Sequence, residues 1–201
     1  MNPMAVLTHA DAVAFSDCVA GGGVAVFPAD TVYGLAAAPG NSAAIARIYA
    51  LKGRAPEKPA ATMWFDRDRA LAALPPLGPR TRRACERLLP GGVTLLLPDP
   101  ADPAVALGVR VPRLEGALAA LATVPHPVVQ SSANAAGGAD PRTLDEVPQA
   151  IRAGADLVLD AGPLPGAPST VIDLRRYERS GAWEIVRQGA VPRSVVASAL
   201  G

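Results

Sequence analysis

Apolar residues along this chain come in short runs with two spacings, punctuated by glycine and proline. Residues 24–27 are a continuous apolar run directly after Gly21-Gly22-Gly23, which predicts a buried strand ended by Pro28. Similar runs predict strands over 61–65, 93–97, 109–111, 128–131, 157–159, 170–174 and 183–187. Between them the spacing turns helical. Thr8 followed by Asp11 has the form of a capping box for a helix reaching Ala20, and Asn41 or Ser42 can cap a second helix carrying Ile45, Ile48, Tyr49 and Leu51 on one face. Lys52 and Arg54 are expected just past its end, beside Gly53. Further helices are predicted over 67–74, 80–89, 114–122, 144–153 and 192–200. The proline-rich stretches 98–103 and 163–168 read as short ordered connections.

This alternation predicts an α/β fold: a twisted, mostly buried mixed sheet flanked by helices. With 201 residues, half of them apolar, the chain suits one compact domain spanning 1–201, with no internal repeat or low-complexity tail. No run of apolar residues reaches membrane-spanning length and no secretory signal pattern is present, so a cytoplasmic protein is expected. Cys18 and Cys85 lack metal-ligand spacing and read as small apolar side chains. The metal ligands, if any, are left unknown.

A formal net charge of +1 provides no overall attraction to nucleic acid or to an anionic membrane. The distribution of cations says more. Of 19 basic residues only Lys52 and Lys58 are lysine, and both fall in one seven-residue stretch. A compact ammonium held beside a phosphate would explain this; so would a solvated face after a helix. Polar groups also follow apolar runs at Asp30-Thr31-Val32-Tyr33-Gly34, Ser131-Ser132-Ala133-Asn134 and Ser169-Thr170. In α/β sheets such strand ends are where ligands bind. Taken singly, each is also an ordinary turn signature, and no Walker-type phosphate loop is present. His9 and His126 read as surface residues, and Trp64 and Trp183 as core or pocket walls.

Joined in order, these pieces closely resemble the YrdC/TsaC family of threonylcarbamoyl-adenylate synthases. The resemblance is carried by Phe27-Pro28-Ala29-Asp30-Thr31-Val32-Tyr33-Gly34-Leu35, by Lys52-Gly53-Arg54 with Lys58-Pro59, and by Leu89-Pro90-Gly91-Gly92-Val93-Thr94. It continues through Val109-Arg110-Val111-Pro112, Ser131-Ser132-Ala133-Asn134 with Gly137, Pro168-Ser169-Thr170-Val171-Ile172-Asp173 and Val186-Arg187-Gln188-Gly189.

The resemblance implies an ATP-using nucleotidyltransferase that joins L-threonine, bicarbonate and ATP into threonylcarbamoyl-adenylate and pyrophosphate, for threonylcarbamoyladenosine modification of tRNA. The partners it implies are those three substrates, with tRNA and downstream tRNA-modification proteins beyond them, and magnesium is expected with the ATP. Three anions must then be held together, and charge building on pyrophosphate needs cations, which the matching segments supply. By the same resemblance Lys52 and Arg54 are catalytic, facing the phosphates and the carbamate. Thr31, Tyr33, Arg110 and Ser169 bind threonine, with Arg110 suited to a bidentate grip on its carboxylate. Lys58, Ser132, Asn134, Asp140 and Arg187 bind the nucleotide. The chain departs from the pattern at Met63, where many relatives carry histidine near the threonine, and at Ala29, Leu89 and Gly92. No counterpart of the extra C-terminal domain of longer members is expected. Two other functions fit parts of the pattern: a non-catalytic RNA-binding module, and a carbamoyl-adenylate-forming domain of the hydrogenase-maturation type, which would need zinc sites that two lone cysteines do not supply.

Overall fold

The computed structural model describes residues 6–53, 60–102 and 105–201. Along the chain, α1 (His9–Ala20) leads into β1 (Ala25–Ala29) and β2 (Val32–Ala37), then α2 (Ser42–Lys52) and β3 (Ala61–Met63). Next come α3 (Arg67–Ala73), α4 (Pro79–Leu88), β4 (Val93–Pro98), β5 (Ala106–Arg110) and a 3-10 helix, Gly116–Thr123. β6 (Val128–Ser132), α5 (Gln149–Gly154), β7 (Leu157–Val158), β8 (Thr170–Asp173), α6 (Tyr177–Ser180), β9 (Glu184–Arg187) and α7 (Arg193–Leu200) complete it. These elements fall into two compact units, Met1–Ala60 with Leu114–Pro168, and Ala61–Arg113 with Ser169–Gly201.

In the first unit the strands run β7-β1-β2-β6, with β7 parallel to β1 and the other two pairs antiparallel. Both helices that flank this sheet start as local chemistry dictates. Thr8 and Asp11 exchange the two hydrogen bonds of a capping box ahead of α1, and the Asn41 side chain accepts from Ala44 N–H ahead of α2. β1 and β2 are buried along their whole lengths, and Phe15 of α1 meets Phe27 of β1 with ring centroids 4.9 Å apart.

β2 is a strand the periodicity does not predict, because Asp30-Thr31 reads as the start of a polar loop. Instead the chain reverses over just those two residues, with Ala29 opposite Val32. Thr31 N–H bonds back to the Ala29 carbonyl around Asp30, which adopts φ +46°. Nor does Pro28 end β1. It stands opposite Tyr33, whose own N–H and C=O pair on the far side with Pro141 O and Ala133 N at 2.8 and 2.9 Å. Pro28 therefore occupies a position where its missing N–H costs no rung between β1 and β2. Gly34 lets β6 close in: a Cβ there would lie 2.7 Å from Gln130 Nε2 and 3.2 Å from Ser131 O.

The second unit orders its strands β3-β5-β4-β8-β9, again mixing parallel and antiparallel pairs. Its core gathers Leu71, Cys85, Leu88, Leu95, Leu97, Val109, Ile172, Leu174 and Val196, with Trp64 and Trp183 half-buried against it. α4 buries Thr81, Ala84, Cys85 and Leu88, the i, i+3, i+4, i+7 stripe of an amphipathic helix. Pro79 sits in its first turn, and Glu178 accepts from Thr81 N–H at 2.7 Å in place of a cap from its own segment.

The mixed α/β class holds. Among smaller differences, the helix expected over 114–122 is 3-10, and that over 144–153 splits into a 3-10 turn, Leu144–Glu146, and α5, with Pro148 between them. Both cysteines are free thiols. Cys85 is buried among apolar side chains, which pushes its thiol up to about 12.

Candidate functional site

In the first unit the predicted residues converge on the loop that follows β6. β6 runs antiparallel to β2, with Ser132 opposite Gly34, and delivers Ser132 and Asn134 at its carboxyl end. Tyr33 N–H and C=O hold Pro141 and Ala133, the two ends of this loop. Lys52 enters from the side as the last residue of α2, which Gly53 closes in the left-handed conformation at φ +58°. Its backbone carbonyl accepts from Ala136 N–H at 2.7 Å.

The Lys52 side chain is 4% exposed, so it is no solvated cation past a helix end. Its ammonium donates to the carbonyl of Ser132, to the carbonyl of Asn134 at 2.7 Å and to Asn134 Oδ1 at 2.9 Å. Ser132 Oγ donates to the same Oδ1 at 2.6 Å, and Asn134 Nδ2 donates to Gly138 O at 2.6 Å. A tetrahedral ammonium thus organises one loop from beneath. Residues 135–139 stand exposed above it, and Asp140 follows, half-buried, beside Pro141.

Thr31 and Tyr33 lie on the β1–β2 turn and the first residues of β2. Thr31 is 4% exposed; its hydroxyl donates to Ala29 O at 3.3 Å and its carbonyl accepts from Gly166 N–H at 2.9 Å. Tyr33 is fully buried. Its hydroxyl lies 2.6 Å from Asp160 Oδ1 and 2.9 Å from Gly162 O, and accepts from Ala161 N–H at 3.1 Å. Burial first, then the bond to the Asp160 carboxylate, raises the pKa of this phenol well above its ordinary value.

The second unit carries Arg110, Ser169 and Arg187. Arg110 ends β5 opposite Met63 of β3, and both side chains are buried, Met63 completely. Ser169 precedes β8; its hydroxyl shares a 2.8 Å hydrogen bond with Thr94 of β4. Arg187, at the end of β9, donates through Nη2 to Ser169 O at 2.9 Å and to Ser169 Oγ at 3.2 Å. Next to it Thr170, fully buried, donates to Val191 O at 2.8 Å and accepts from Gly189 and Val191 N–H, each at 3.0 Å.

The structure therefore joins Lys52, Ser132, Asn134 and Tyr33 around one loop, with Thr31 and Asp140 alongside, and ties Ser169 to Arg187. Arg54 and Lys58 lie outside the described residues. The sequence assigns no role to Thr94 or Asp160, and marks Thr170 only as part of the Ser169-Thr170 pair. The two threonines sit inside the Val93-Thr94 and Ser169-Thr170 motifs, where an apolar run with one embedded threonine was the available signal. Asp160 has no such signal, because its partner is 127 positions away. His9 and His126 are exposed. Among the described residues no group of three His, Cys, Asp or Glu side chains could hold a metal ion, and no helix is long and apolar enough to cross a membrane.

Fold and site together define an α/β protein that carries a buried lysine under a serine–asparagine loop at the carboxyl end of a strand, the position where α/β sheets place their ligands. The family model for Sua5, YciO and YrdC, described as "Telomere recombination", matches residues 17–189, and the chain belongs to that family. It is 35% identical over 170 residues to the threonylcarbamoyl-AMP synthase of Nitrosococcus oceani, covering 80% of this chain and 91% of that protein. It is 31% identical over 158 residues to the threonylcarbamoyl-AMP synthase of Bacillus subtilis, covering 74% of this chain and 46% of the relative. The crystal structure of P. abyssi Sua5 complexed with L-threonine superimposes with a TM-score of 0.83 at 25% identity, over 97% of this chain and 58% of the other. The chain thus spans nearly all of the first relative and about half of the other two.

Proposed function

We propose that this protein is a threonylcarbamoyl-AMP synthase, condensing L-threonine, bicarbonate and ATP to threonylcarbamoyl-adenylate and pyrophosphate. The observation that carries the reading is the near full-length relationship to the Nitrosococcus oceani protein of that name. The loop held by Lys52 supports it, because the chemistry needs an anion-binding segment on a rigid base.

In the reaction bicarbonate loses hydroxide, which leaves as water with the proton given up by the threonine ammonium. The freed amine bonds to the carbon dioxide so formed and releases a second proton to solvent, which leaves the carbamate anion. A carbamate oxygen then attacks the α-phosphorus, the bond to the β-phosphate oxygen breaks, and pyrophosphate leaves with the electron pair. The nucleophile is already an anion, so positioning and positive charge matter more than a base.

In this reading Lys52 acts from below the loop: it fixes Ser132 and Asn134 and places a buried positive charge under residues 135–139, where the nucleotide phosphates sit. Gly137, at φ +78° with open space at its Cβ position, allows close backbone approach there. Ser132, Asn134, Asp140, Lys58 and Arg187 serve the nucleotide, and Arg54 joins Lys52 at the phosphates and carbamate. Thr31, Tyr33, Arg110 and Ser169 serve threonine, with Tyr33 acting as a wall, since its hydroxyl is spent on the 160–162 turn. Asp140 is the one carboxylate in this set, and a single acidic side chain is too few to cage a resident ion. Magnesium therefore enters with ATP as part of the substrate, held by triphosphate oxygens.

Residues 1–201 act as one YrdC-like domain in the cytoplasm, handing product to tRNA and the proteins that modify it. The experiment is pyrophosphate release from ATP, measured with and without L-threonine and bicarbonate. Release that needs both is expected, and release independent of either overturns the reading. Turnover of serine equal to that of threonine would show that Met63, buried opposite Arg110, leaves the amino-acid pocket less selective than the name implies.

A further inference from the structure

Thr94 and Ser169 are both buried, and their hydroxyl oxygens lie 2.8 Å apart within the second unit. β4 and β8 run parallel, with Val93 opposite Thr170 and Thr94 opposite Val171, so Ser169 comes one step before the paired part of β8. Each hydroxyl has one proton to give and two lone pairs to fill. The bond between them uses only one of the two protons. Among the described residues neither hydroxyl has an acceptor for the other proton, so the pair keeps one hydrogen-bond donor in reserve. A buried donor without an acceptor costs free energy, and a ligand oxygen that completes the bonding removes that cost.

Which oxygen keeps the spare proton follows from Arg187. Its Nη2 donates to Ser169 O at 2.9 Å and to Ser169 Oγ at 3.2 Å, and its Nε donates to the same carbonyl at 3.3 Å. The segment just beyond Arg187 is anchored, because Thr170 Oγ1 accepts from Gly189 and Val191 N–H and donates to Val191 O. Arg187 therefore fills one lone pair of Ser169. If Thr94 fills the second, Ser169 has no acceptor site left, and its own proton points away from both neighbours, polarised by the two bonds it accepts. In the opposite arrangement Ser169 gives its proton to Thr94. The spare donor would then sit inside β4, on an oxygen bonded to no cation.

We infer that Thr94 is a positioning residue: it donates to Ser169, and Ser169, with both lone pairs occupied, acts only as a donor, to an anionic oxygen of the amino-acid substrate. The inference rests on the proposed function, in which Ser169 serves threonine, and deepens it by fixing the direction of that hydrogen bond. A hydroxyl that can only donate discriminates by charge. It bonds to a carboxylate or carbamate oxygen and offers nothing to an ammonium. The amino group that takes up carbon dioxide is therefore held away from Ser169.

The test is a double-mutant cycle on the full chain, read by threonine-dependent pyrophosphate release from ATP. Ser169→Ala is expected to raise the KM for threonine about tenfold or more, the scale of a lost hydrogen bond to a charged oxygen. Thr94→Val keeps the branched shape and removes the donor. It should raise the same KM about three- to tenfold, with kcat and the KM for ATP changing less than about twofold. Thr94→Ser restores the hydroxyl and should stay within about twofold of the parent, whereas a packing role for the methyl group would leave it impaired. Adding Thr94→Val to Ser169→Ala should change the KM less than about twofold further, because Thr94 acts through Ser169. Thr94→Ala is measured alongside and read in the same way, so that a valine variant that folds poorly still leaves the cycle complete. An unchanged or lowered KM in the Thr94 variants overturns the inference, since a bond running the other way would free the Ser169 proton for substrate. So do fully additive effects in the cycle, or a KM that Ser169→Ala does not move. Any of these leaves the synthase reading standing while release by the parent needs threonine and bicarbonate. Release by the parent that is independent of either overturns both together.

Discussion

The Nζ of Lys52 donates to both oxygens of Asn134, the main-chain oxygen at 2.7 Å and Oδ1 at 2.9 Å, across 82 positions of sequence. Because Asn134 Oδ1 also accepts from Ser132 and Nδ2 holds Gly138, one buried ammonium fixes the whole turn after β6. A lysine that touched only substrate could be removed without loss of stability. This one cannot.

Lys52→Met is therefore expected to lower stability by about 2–3 kcal/mol, since charge-assisted hydrogen bonds to buried oxygens are lost, and to abolish most of the pyrophosphate-releasing activity. Lys52→Arg should not restore it, because a planar fork cannot meet oxygens arranged for a tetrahedral donor. Urea denaturation alongside the activity assay checks both. An inactive Lys52→Met protein with unchanged stability would mean that Lys52 acts on substrate directly and not through the loop.

Thr170 makes a comparable prediction in the second unit. Its hydroxyl accepts from Gly189 and Val191 N–H, so Thr170→Val keeps the shape and leaves two inward-facing donors without an acceptor. The expected loss is about 2–3 kcal/mol, with Thr170→Ser recovering most of it. Thermal or urea unfolding decides the matter, and a valine variant as stable as the parent would show that water or a shifted backbone takes over the role.

What could be read in the chain beforehand was what is local. Thr8 with Asp11, Asn41 ahead of α2, and the apolar runs of β1, β4 and β8 all announce themselves within a few residues, because caps and strand packing act at that range. β2 stayed hidden for a physical reason. Asp30-Thr31-Val32-Tyr33-Gly34 has the composition of a loop, and only the positive φ of Asp30 turns it into a two-residue reversal that a proline-containing strand can pair across. Lys52 was legible as unusual but not as buried, since its acceptors are 80 and 82 positions distant and loop oxygens carry no mark in a sequence. The site motifs were visible as an ordered set. How Lys52, Ser132 and Asn134 divide donors and acceptors among themselves was not.

Asp156 links the turn before β1 to α2: it accepts from Val24 N–H at 2.7 Å and from Arg47 at 2.9 and 3.2 Å. The Arg47 bond first, and the Val24 bond second, lower its pKa below the ordinary carboxylate value. A lowered folded-state pKa means that the unfolded chain binds the proton more readily, so the contribution is present above about pH 4 and fades as pH falls through the folded value. Asp156→Asn should therefore cost about 1 kcal/mol or less at pH 7, the scale of an exposed ion pair, and the gap to the parent should close below about pH 4. Urea midpoints of the two proteins across that range test it; a gap that stays constant with pH would trace the loss to packing and not to ionisation.

Tyr33 offers the sharpest separation between a pocket wall and a hydrogen-bonding group in the reaction. Its hydroxyl faces Asp160, Ala161 and Gly162, and its ring is buried beneath the turn that carries Thr31. Tyr33→Phe keeps the ring and leaves the Ala161 N–H without its acceptor, so it should lower stability by about 1–2 kcal/mol. The KM for threonine should change by less than about threefold, because uniform binding is unaffected when no substrate contact is lost. Tyr33→Ala removes the wall itself and should raise that KM by about tenfold or more, the scale set by losing a well-placed apolar contact. Steady-state kinetics at varied threonine on both variants distinguishes the roles. A large KM increase in Tyr33→Phe, with stability unchanged, would place the hydroxyl on the substrate and not on the 160–162 turn.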